Sequence, residues 1–177
     1  MSKKNIHLLL DDYAGEVSEL TAITQYFHHH FVVAHEDVAE LLEQVSLDEM
    51  RHFEMLGEAL LDARIDPKVY NAHKNYWQGN NVNYQYKVCD ILRADIIAEL
   101  DAITQYFQHI AQIPNPATQA MLRDIIQDEL QHIALFSEKL AKYCSKFDYR
   151  TWLKKNIDNY QLELPDKEHV ITTLRLY

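Results

Sequence analysis

One pattern occurs twice in this chain, eighty residues apart. Residues 49–52 and residues 129–132 are both Glu-x-x-His motifs. Another glutamate precedes each motif by thirty residues, Glu19 in the first half and Glu99 in the second. The nine-residue stretches that begin at these two glutamates match at eight of nine positions. Because residues i and i+3 lie on the same side of a helix, each motif can direct its Glu and its His toward one point.

The apolar residues recur at helical spacing and predict four long helices. Their expected ranges are residues 5 to about 33, 36–63, 83–112 and 117–143. With three Gly and four Pro in 177 residues, the chain is poor in turn formers. The stretch of residues 64–82 contains Pro, Gly and Asn, and ~19 extended residues can reach up to about 60 Å. The pattern therefore predicts an all-α, antiparallel four-helix bundle with a long crossover between the second and third helices.

The predicted bundle occupies residues 1–145 and contains an internal two-fold repeat with an offset of eighty. Residues 146–177 have no counterpart in the first half. For them we expect a short helix over residues 149–160, followed by a tail with little periodicity, both packed on the bundle. Trp77 is expected to fix the crossover to the bundle by packing.

The repeated Glu and His residues lie on otherwise apolar helix stripes. In the second helix the stripe is Leu42, Val45, Glu49, His52, Leu56 and Leu60. In the fourth helix it is Leu122, Ile125, Glu129, His132, Phe136 and Leu140. Unpaired buried charge costs several kcal/mol, so these polar side chains need a partner such as a metal ion.

Six residues form the predicted ligand set of a two-metal site: Glu19, Glu49, His52, Glu99, Glu129 and His132. The four carboxylates carry −4, which nearly neutralises two divalent ions. Hard oxygen donors with one nitrogen per metal suit iron or manganese. A structural zinc site would usually contain thiolates, and no cysteine is placed to supply them.

Four further residues are candidates for roles beside the ligands. Asp48 and Asp128 each precede a ligand glutamate and are placed to bind the second nitrogen of a ligand histidine across the pseudo-two-fold axis. Tyr26 and Tyr106 lie two turns after Glu19 and Glu99 and are candidate catalytic residues, although packing alone would also explain them.

Composition and cysteine content exclude several classes of function. A net charge of −10 argues against binding to a nucleic acid backbone. The apolar run near the N-terminus is too short for a signal peptide or a membrane span. Cys89 and Cys144 form no Cys-x-x-Cys pair, so we expect no disulfide and a cytoplasmic location. Without a cysteine pair or a flavin motif, electrons must come from excess Fe(II) or from an external donor.

The two matching stretches and the Asp-Glu-Met-Arg-His sequence at residues 48–52 resemble bacterioferritins and rubrerythrins of the ferritin-like superfamily. The resemblance covers residues 5–143. It implies a ferritin-like bundle with two irons that react with dioxygen or hydrogen peroxide. The chain departs from rubrerythrins, which carry a rubredoxin domain and an additional metal-site Glu; the corresponding positions here are Ile96 and Ala102. Met50 stands where bacterioferritins bind haem, but haem is not expected.

Three functions remain open at this point. The first is a di-iron peroxidase or ferroxidase, cytoplasmic, active in oxidative stress and homo-oligomeric. The second is a manganese catalase, and the third is a subunit of an iron-storage cage. Glu16 and His30 of the first half are replaced by Ile96 and Ile110 in the second, so we expect water or peroxide to approach from the side of the first helix. His30 is interpreted as a core histidine, with a proton-relay role as the alternative.

Overall fold

The computed structural model describes residues 5–176, which form helices joined by loops; residues 1–4 of the expected N-terminal segment and Tyr177 lie outside this range. Its seven α-helices are α1 (Leu9–Ala14), α2 (Glu19–Val32), α3 (Glu36–Asp62), α4 (Val88–Gln112), α5 (Pro116–Tyr143), α6 (Tyr149–Asn159) and α7 (Leu164–Thr173). The predicted all-α, ferritin-like four-helix bundle is confirmed. It consists of α2, α3, α4 and α5, with α2 packed on α3 and α4 packed on α5.

The stripes predicted for α3 and α5 are buried along their whole length. The crossover between α3 and α4 carries a single-turn 3-10 helix, Gly79–Asn81. Trp77 fixes this crossover, because its indole N–H donates to the Thr21 hydroxyl at 2.9 Å and its ring packs on the core.

The first helix differs from the prediction, because it is broken between Ala14 and Glu19. The chain leaves α1 at Gly15, where a side chain would lie 2.5 Å from the carbonyl oxygen of Asp11. Ser18 then caps α2 by accepting a hydrogen bond from the Thr21 amide. Glu19 is therefore the first residue of α2, not a residue near the middle of a long helix.

The C-terminal segment is also more ordered than predicted. After α6, residues expected to form an aperiodic tail form α7, with Pro165 in its first turn. Leu153, Ile157 and Val170 of these two helices are buried in the same core as the bundle.

A disulfide joins Cys89 to Cys144, so the expectation that the cysteines remain unpaired is wrong. The bond connects the first turn of α4 to the residue that follows α5. Both cysteines lie in helix-terminal turns at one end of the α4–α5 pair, which brings them together across 55 positions of sequence. No helix among the described residues is both long enough and apolar enough to span a membrane.

Candidate metal centre

The six predicted ligands converge in the middle of the bundle. Glu19 comes from α2, Glu99 from α4, and the two Glu-x-x-His motifs come from α3 and α5. Their potential ligand atoms form two groups, and within each group all atoms lie within 4.8 Å of one another. The first group is Glu19, Glu49, His52 and Glu129; the second is Glu49, Glu99, Glu129 and His132. Every member is buried.

Glu49 and Glu129 belong to both groups, so each is placed to bridge two ions. The Nδ1 atom of His52 lies 2.9 Å from Glu49 and 3.3 Å from Glu129. The Nδ1 atom of His132 lies 2.9 Å from Glu129 and 3.1 Å from Glu49. Each imidazole therefore faces both shared carboxylates, as the internal repeat requires.

The remaining carboxylates mark the two outer ends of the centre. Glu19 lies 3.9 Å from Nδ1 of His52, and Glu99 lies 3.4 Å from Nδ1 of His132. Oε1 of Glu49 and Oε1 of Glu99 are buried 3.1 and 3.4 Å from Nδ1 of His132, but this nitrogen is closest to Glu129, and neither oxygen has a well-directed hydrogen bond within the described part of the chain. Carboxylate oxygens left free in a core, beside two imidazoles, fit a pair of divalent cations in the hard-donor class that includes iron and manganese.

The charge state of the ligands reflects their crowding. Burial, and then repulsion from Glu49 and Glu129, raises the pKa of both Glu19 and Glu99 well above the usual range. Burial would also raise the pKa of Glu49, but hydrogen bonds from His132 and His52 outweigh it and lower that pKa.

The ligand histidines respond in the opposite direction. Burial opposes the charged form of His52, yet hydrogen bonds to Glu129 and Glu49 raise its pKa to about 12. The pKa of His132 is raised by the same two carboxylates together with Glu99, again against burial. Without metal, two imidazolium groups thus stand in for cations between the carboxylates.

The two aspartates next to the ligands differ in their contacts. Asp128 lies 3.2 Å from Nε2 of His52 and is held at 2.6 Å by Arg51. Asp48 lies 3.6 Å from Nε2 of His132 and is more exposed. Both face the histidine of the other half across the pseudo-two-fold axis, where they can orient the ring that binds a metal.

The two tyrosines also face the opposite half. The Tyr106 hydroxyl donates to Oε1 of Glu19, whereas the buried Tyr26 hydroxyl lies beside Glu99 without a well-directed hydrogen bond among the described residues. Burial, followed by the charges of Glu99 and Glu49, raises the pKa of Tyr26. Along the chain each tyrosine follows the glutamate of its own helix by two turns, and the structure places it beside the glutamate of the other repeat.

A cavity of about 160 Å³ leads from the surface to three of the ligands, Glu19, Glu99 and Glu129. Its outer part is lined by Glu16 and Asp101, together with the crossover residues Asn81 and Asn83. The cavity is on the α2–α4 side of the bundle, opposite the helices that supply the histidines. Glu16 therefore borders a path to the site, while His30 instead binds the Ala39 carbonyl oxygen at 2.8 Å, outside the centre.

A second set of buried polar residues was not predicted from the sequence. In α2, Gln25 and His29 bind Asp95; in α4, Gln105 and His109 bind Asp12. The Gln and His residues repeat at the same offset of eighty as the ligands, which is a signal that the sequence did contain. The aspartates do not repeat at that offset, because the break after Ala14 shifts the register of the first half.

Comparison with known proteins agrees with this geometry. A model of the ferritin-like domain matches residues 17–144. The chain belongs to the ferritin-like family. The bacterioferritin of Streptomyces coelicolor is 30% identical over 129 residues, covering 70% of this chain and 73% of the relative. Among curated relatives, the aligned part spans 58% to 77% of the relative's length.

Two solved structures show the same fold. A manganese catalase from Anabaena superposes with a TM-score of 0.76 at 24% identity, covering 82% of this chain and 75% of the catalase. The bacterioferritin of Desulfovibrio desulfuricans, described with a diiron site, superposes with a TM-score of 0.69 at 23% identity, covering 85% of each chain. The ferritin-like architecture thus accompanies both metals among its neighbours.

Proposed function

We propose that this chain binds two iron ions and is an oxidoreductase that reduces hydrogen peroxide or dioxygen. The observation that supports this most directly is the pair of overlapping ligand groups that share Glu49 and Glu129. When bound, two redox-active ions supply the electrons that reduce the oxidant. An external donor, or excess Fe(II) as substrate, must restore those electrons.

The protein itself positions the ligands, donates protons and gives the oxidant access to the site. Glu49 and Glu129, shared by both ligand groups, would hold the two ions, and Glu19 and Glu99 would each complete one group. Asp48 and Asp128 orient the histidine rings. The cavity beside Glu16 gives a small oxidant a path to the site, and Tyr26 and Tyr106 are the proposed proton-donating groups.

The experiment begins with metal binding. Metal-free protein is titrated anaerobically with Fe(II), and binding should saturate at two equivalents per chain. Glu49→Gln should reduce the stoichiometry, because both groups lose a shared ligand. Glu43→Gln changes an exposed glutamate on the same helix and should leave two sites. A plateau at one equivalent in the unaltered protein would exclude the two-metal site.

The reaction is then followed by anaerobic stopped-flow mixing with each oxidant. We expect the iron-loaded protein to react faster with hydrogen peroxide than with dioxygen, and to oxidise two Fe(II) per peroxide. Absence of oxidation by both would refute the proposal.

Manganese catalase is the second candidate, favoured by the likeness to the Anabaena enzyme. It predicts sustained oxygen evolution from peroxide by manganese-loaded protein without added reductant. An oxygen electrode distinguishes it from the iron reaction. Elemental analysis of protein from its native host identifies the resident metal.

Assembly and location are further parts of the proposal. Large apolar side chains are exposed along the outer side of α2 and α3: Phe31, Leu47, Met50 and Leu61. We expect them to be covered in a homo-oligomer, and light scattering measures its size. A storage cage would require a closed shell, which a dimer cannot form.

A cytoplasmic location stays a prediction, and the Cys89–Cys144 bond argues against it, since disulfides persist mainly in oxidising compartments. Thiol titration of protein isolated from its host without reductant tests the state of this bond.

A further inference from the structure

The two halves of the centre differ in the residue that precedes each ligand histidine. At the offset of eighty, Arg51 on α3 corresponds to Gln131 on α5, although both belong to Glu-x-x-His motifs. Nη2 of Arg51 donates to Oδ2 of Asp128 at 2.6 Å. Gln131 is exposed, and within the described part of the chain the matching Asp48 has no arginine or lysine within 4.0 Å. One half therefore has a cation bound to its aspartate, and the other half does not.

The positions of the two aspartates follow this difference. Oδ2 of Asp128 lies 3.2 Å from Nε2 of His52, which is within hydrogen-bond distance. Oδ2 of Asp48 lies 3.6 Å from Nε2 of His132, which is beyond it. The side chain of Asp48 is 54% exposed, against 36% for Asp128. The aspartate bound by the arginine is thus both less exposed and closer to its histidine.

This contact matters because of the way in which each histidine faces the centre. Both rings direct Nδ1 toward the shared glutamates, so Nδ1 is the atom that can bind a metal ion. A neutral imidazole that ligates through Nδ1 carries its proton on Nε2. An acceptor at Nε2 fixes this tautomer and the orientation of the ring, and it makes the ring a better ligand. His52 has such an acceptor at bonding distance, whereas His132 does not.

We propose that Arg51 is a positioning residue of the metal centre that makes its two ligand groups unequal. By holding Asp128 against His52, it causes the first group to bind a divalent ion more tightly than the second group, which contains His132. The first ion therefore enters the first group, and the ion in the second group exchanges more readily. This inference rests on the proposed two-metal function and adds an order of loading to it.

The charge of Arg51 gives the proposal a distinctive sign. By Coulomb repulsion alone, removal of a positive charge near the centre would strengthen the binding of a cation. Removal of a positioning contact has the opposite effect, because Asp128 is then free to turn toward solvent and His52 loses its acceptor. A weaker affinity after neutralisation of Arg51 is therefore explained by positioning and not by charge.

The affinities of the two groups are measured separately in variants that keep only one group complete. Glu99→Ala removes a ligand from the second group only, and Glu19→Ala removes one from the first group only. Each metal-free variant is titrated with Mn(II), and the EPR signal of free aqueous Mn(II) gives the affinity of the remaining group. We expect Glu99→Ala to bind its ion about tenfold more tightly than Glu19→Ala, in line with the effect of an outer-shell partner.

Exchange of the two residues that differ between the halves then tests their role. Arg51→Gln should weaken binding about tenfold in the Glu99→Ala protein and change it by less than about twofold in the Glu19→Ala protein. Gln131→Arg should strengthen binding in the Glu19→Ala protein, because it supplies Asp48 with the partner that it lacks. A gain of affinity cannot result from damage to the fold.

Two controls accompany these variants. Arg123→Gln removes an exposed arginine elsewhere on α5 and should leave both affinities within about twofold. The melting temperature of metal-free Arg51→Gln should stay within about 3 °C of that of the unaltered protein, since exposed ion pairs contribute little to stability.

Unchanged or tighter binding after Arg51→Gln in the Glu99→Ala protein would overturn the proposal, and so would equal losses in the two backgrounds. The affinities do not depend on turnover, so this result is separable from the test of the reaction. If the groups differ as expected but the loaded protein reacts with neither oxidant, the oxidoreductase function fails and the order of loading stands. If the protein reacts but neither affinity responds to Arg51, only the role of Arg51 fails. Absence of metal binding would refute both.

Discussion

Loading the centre with metal should release about four protons, two for each ion. Burial and neighbouring carboxylates raise the pKa values of Glu19 and Glu99, which favours their protonated forms in the metal-free protein. His52 and His132 are imidazolium ions because the shared glutamates raise theirs. Metal ligation requires ionised carboxylates and neutral imidazoles, so all four protons must leave.

The pH dependence of affinity follows from this count. Each released proton weakens binding about tenfold for every unit by which the pH falls, equivalent to about 1.4 kcal/mol. Two protons per ion therefore predict a roughly hundredfold loss of affinity per ion between pH 7 and pH 6. Because the pKa values of the ligands are raised in the metal-free protein, metal binding strengthens as the pH rises. Above the raised pKa values of the glutamates, the change in metal affinity per pH unit should halve. Only the histidine proton then remains to be displaced, because the pKa of His52 is about 12.

Isothermal titration calorimetry with Mn(II) measures the release directly. The same titration is repeated in two buffers with different enthalpies of ionisation, and the difference in heat gives the protons released. Glu99→Gln removes one of the four titrating groups and should lower the count to three. Glu43→Gln, on the outside of the bundle, should leave it at four. Release of one proton or none by the unaltered protein would refute the assigned charge states.

Three other predictions follow from individual contacts. Reduction of the Cys89–Cys144 bond opens a loop across 55 positions. Reduction should remove about 4 kcal/mol of stabilisation and lower the melting temperature in calorimetry by roughly 10 °C. An unchanged melting transition would mean that the bond is not formed. In metal-free protein, Tyr106→Phe should lower the free energy of unfolding by about 1–3 kcal/mol in denaturant titration, because it leaves a buried carboxylate oxygen of Glu19 without its donor. Tyr26→Phe should leave the free energy of unfolding nearly unchanged. Equal losses for the two variants would contradict this assignment. Glu16→Gln should keep two metal equivalents but alter the rate of reaction with peroxide, and an unaltered rate would remove Glu16 from the access path.

The sequence was sufficient to predict the bundle and the six residues that converge in its centre, because both depend on periodicity. Glu49 and His52 occupy positions on an apolar stripe, and the same arrangement recurs eighty residues later. A repeat at constant offset on helices of matching length leaves few ways to bury those side chains. The ligand positions therefore followed from local spacing alone, although metal binding itself stays a prediction.

The features that were not predicted depend on contacts between distant segments. The break at Gly15 arises from its close approach to the Asp11 carbonyl, which one glycine in a helical pattern does not reveal. His29 is buried more deeply than His30 because α2 faces both α3 and α4; His30 binds α3, while His29 is enclosed against Asp95 of α4. Phe31, an apolar residue two positions after His29, is 77% exposed at the end of the same helix.

The six ligands cannot by themselves decide which reaction this chain performs. The same oxygen and nitrogen donors suit iron and manganese, and both metals occur among proteins of this architecture. Reactivity must then depend on what surrounds the ligands, above all on access and proton supply. In this chain both lie on the α2–α4 side: the cavity reaches Glu19 and Glu99 from the crossover, and Tyr26, a proposed proton donor, lies beside Glu99. The α3–α5 side supplies both histidines and both shared glutamates, so changes along the crossover and at positions of α2 other than Glu19 should alter the chemistry while leaving metal binding in place.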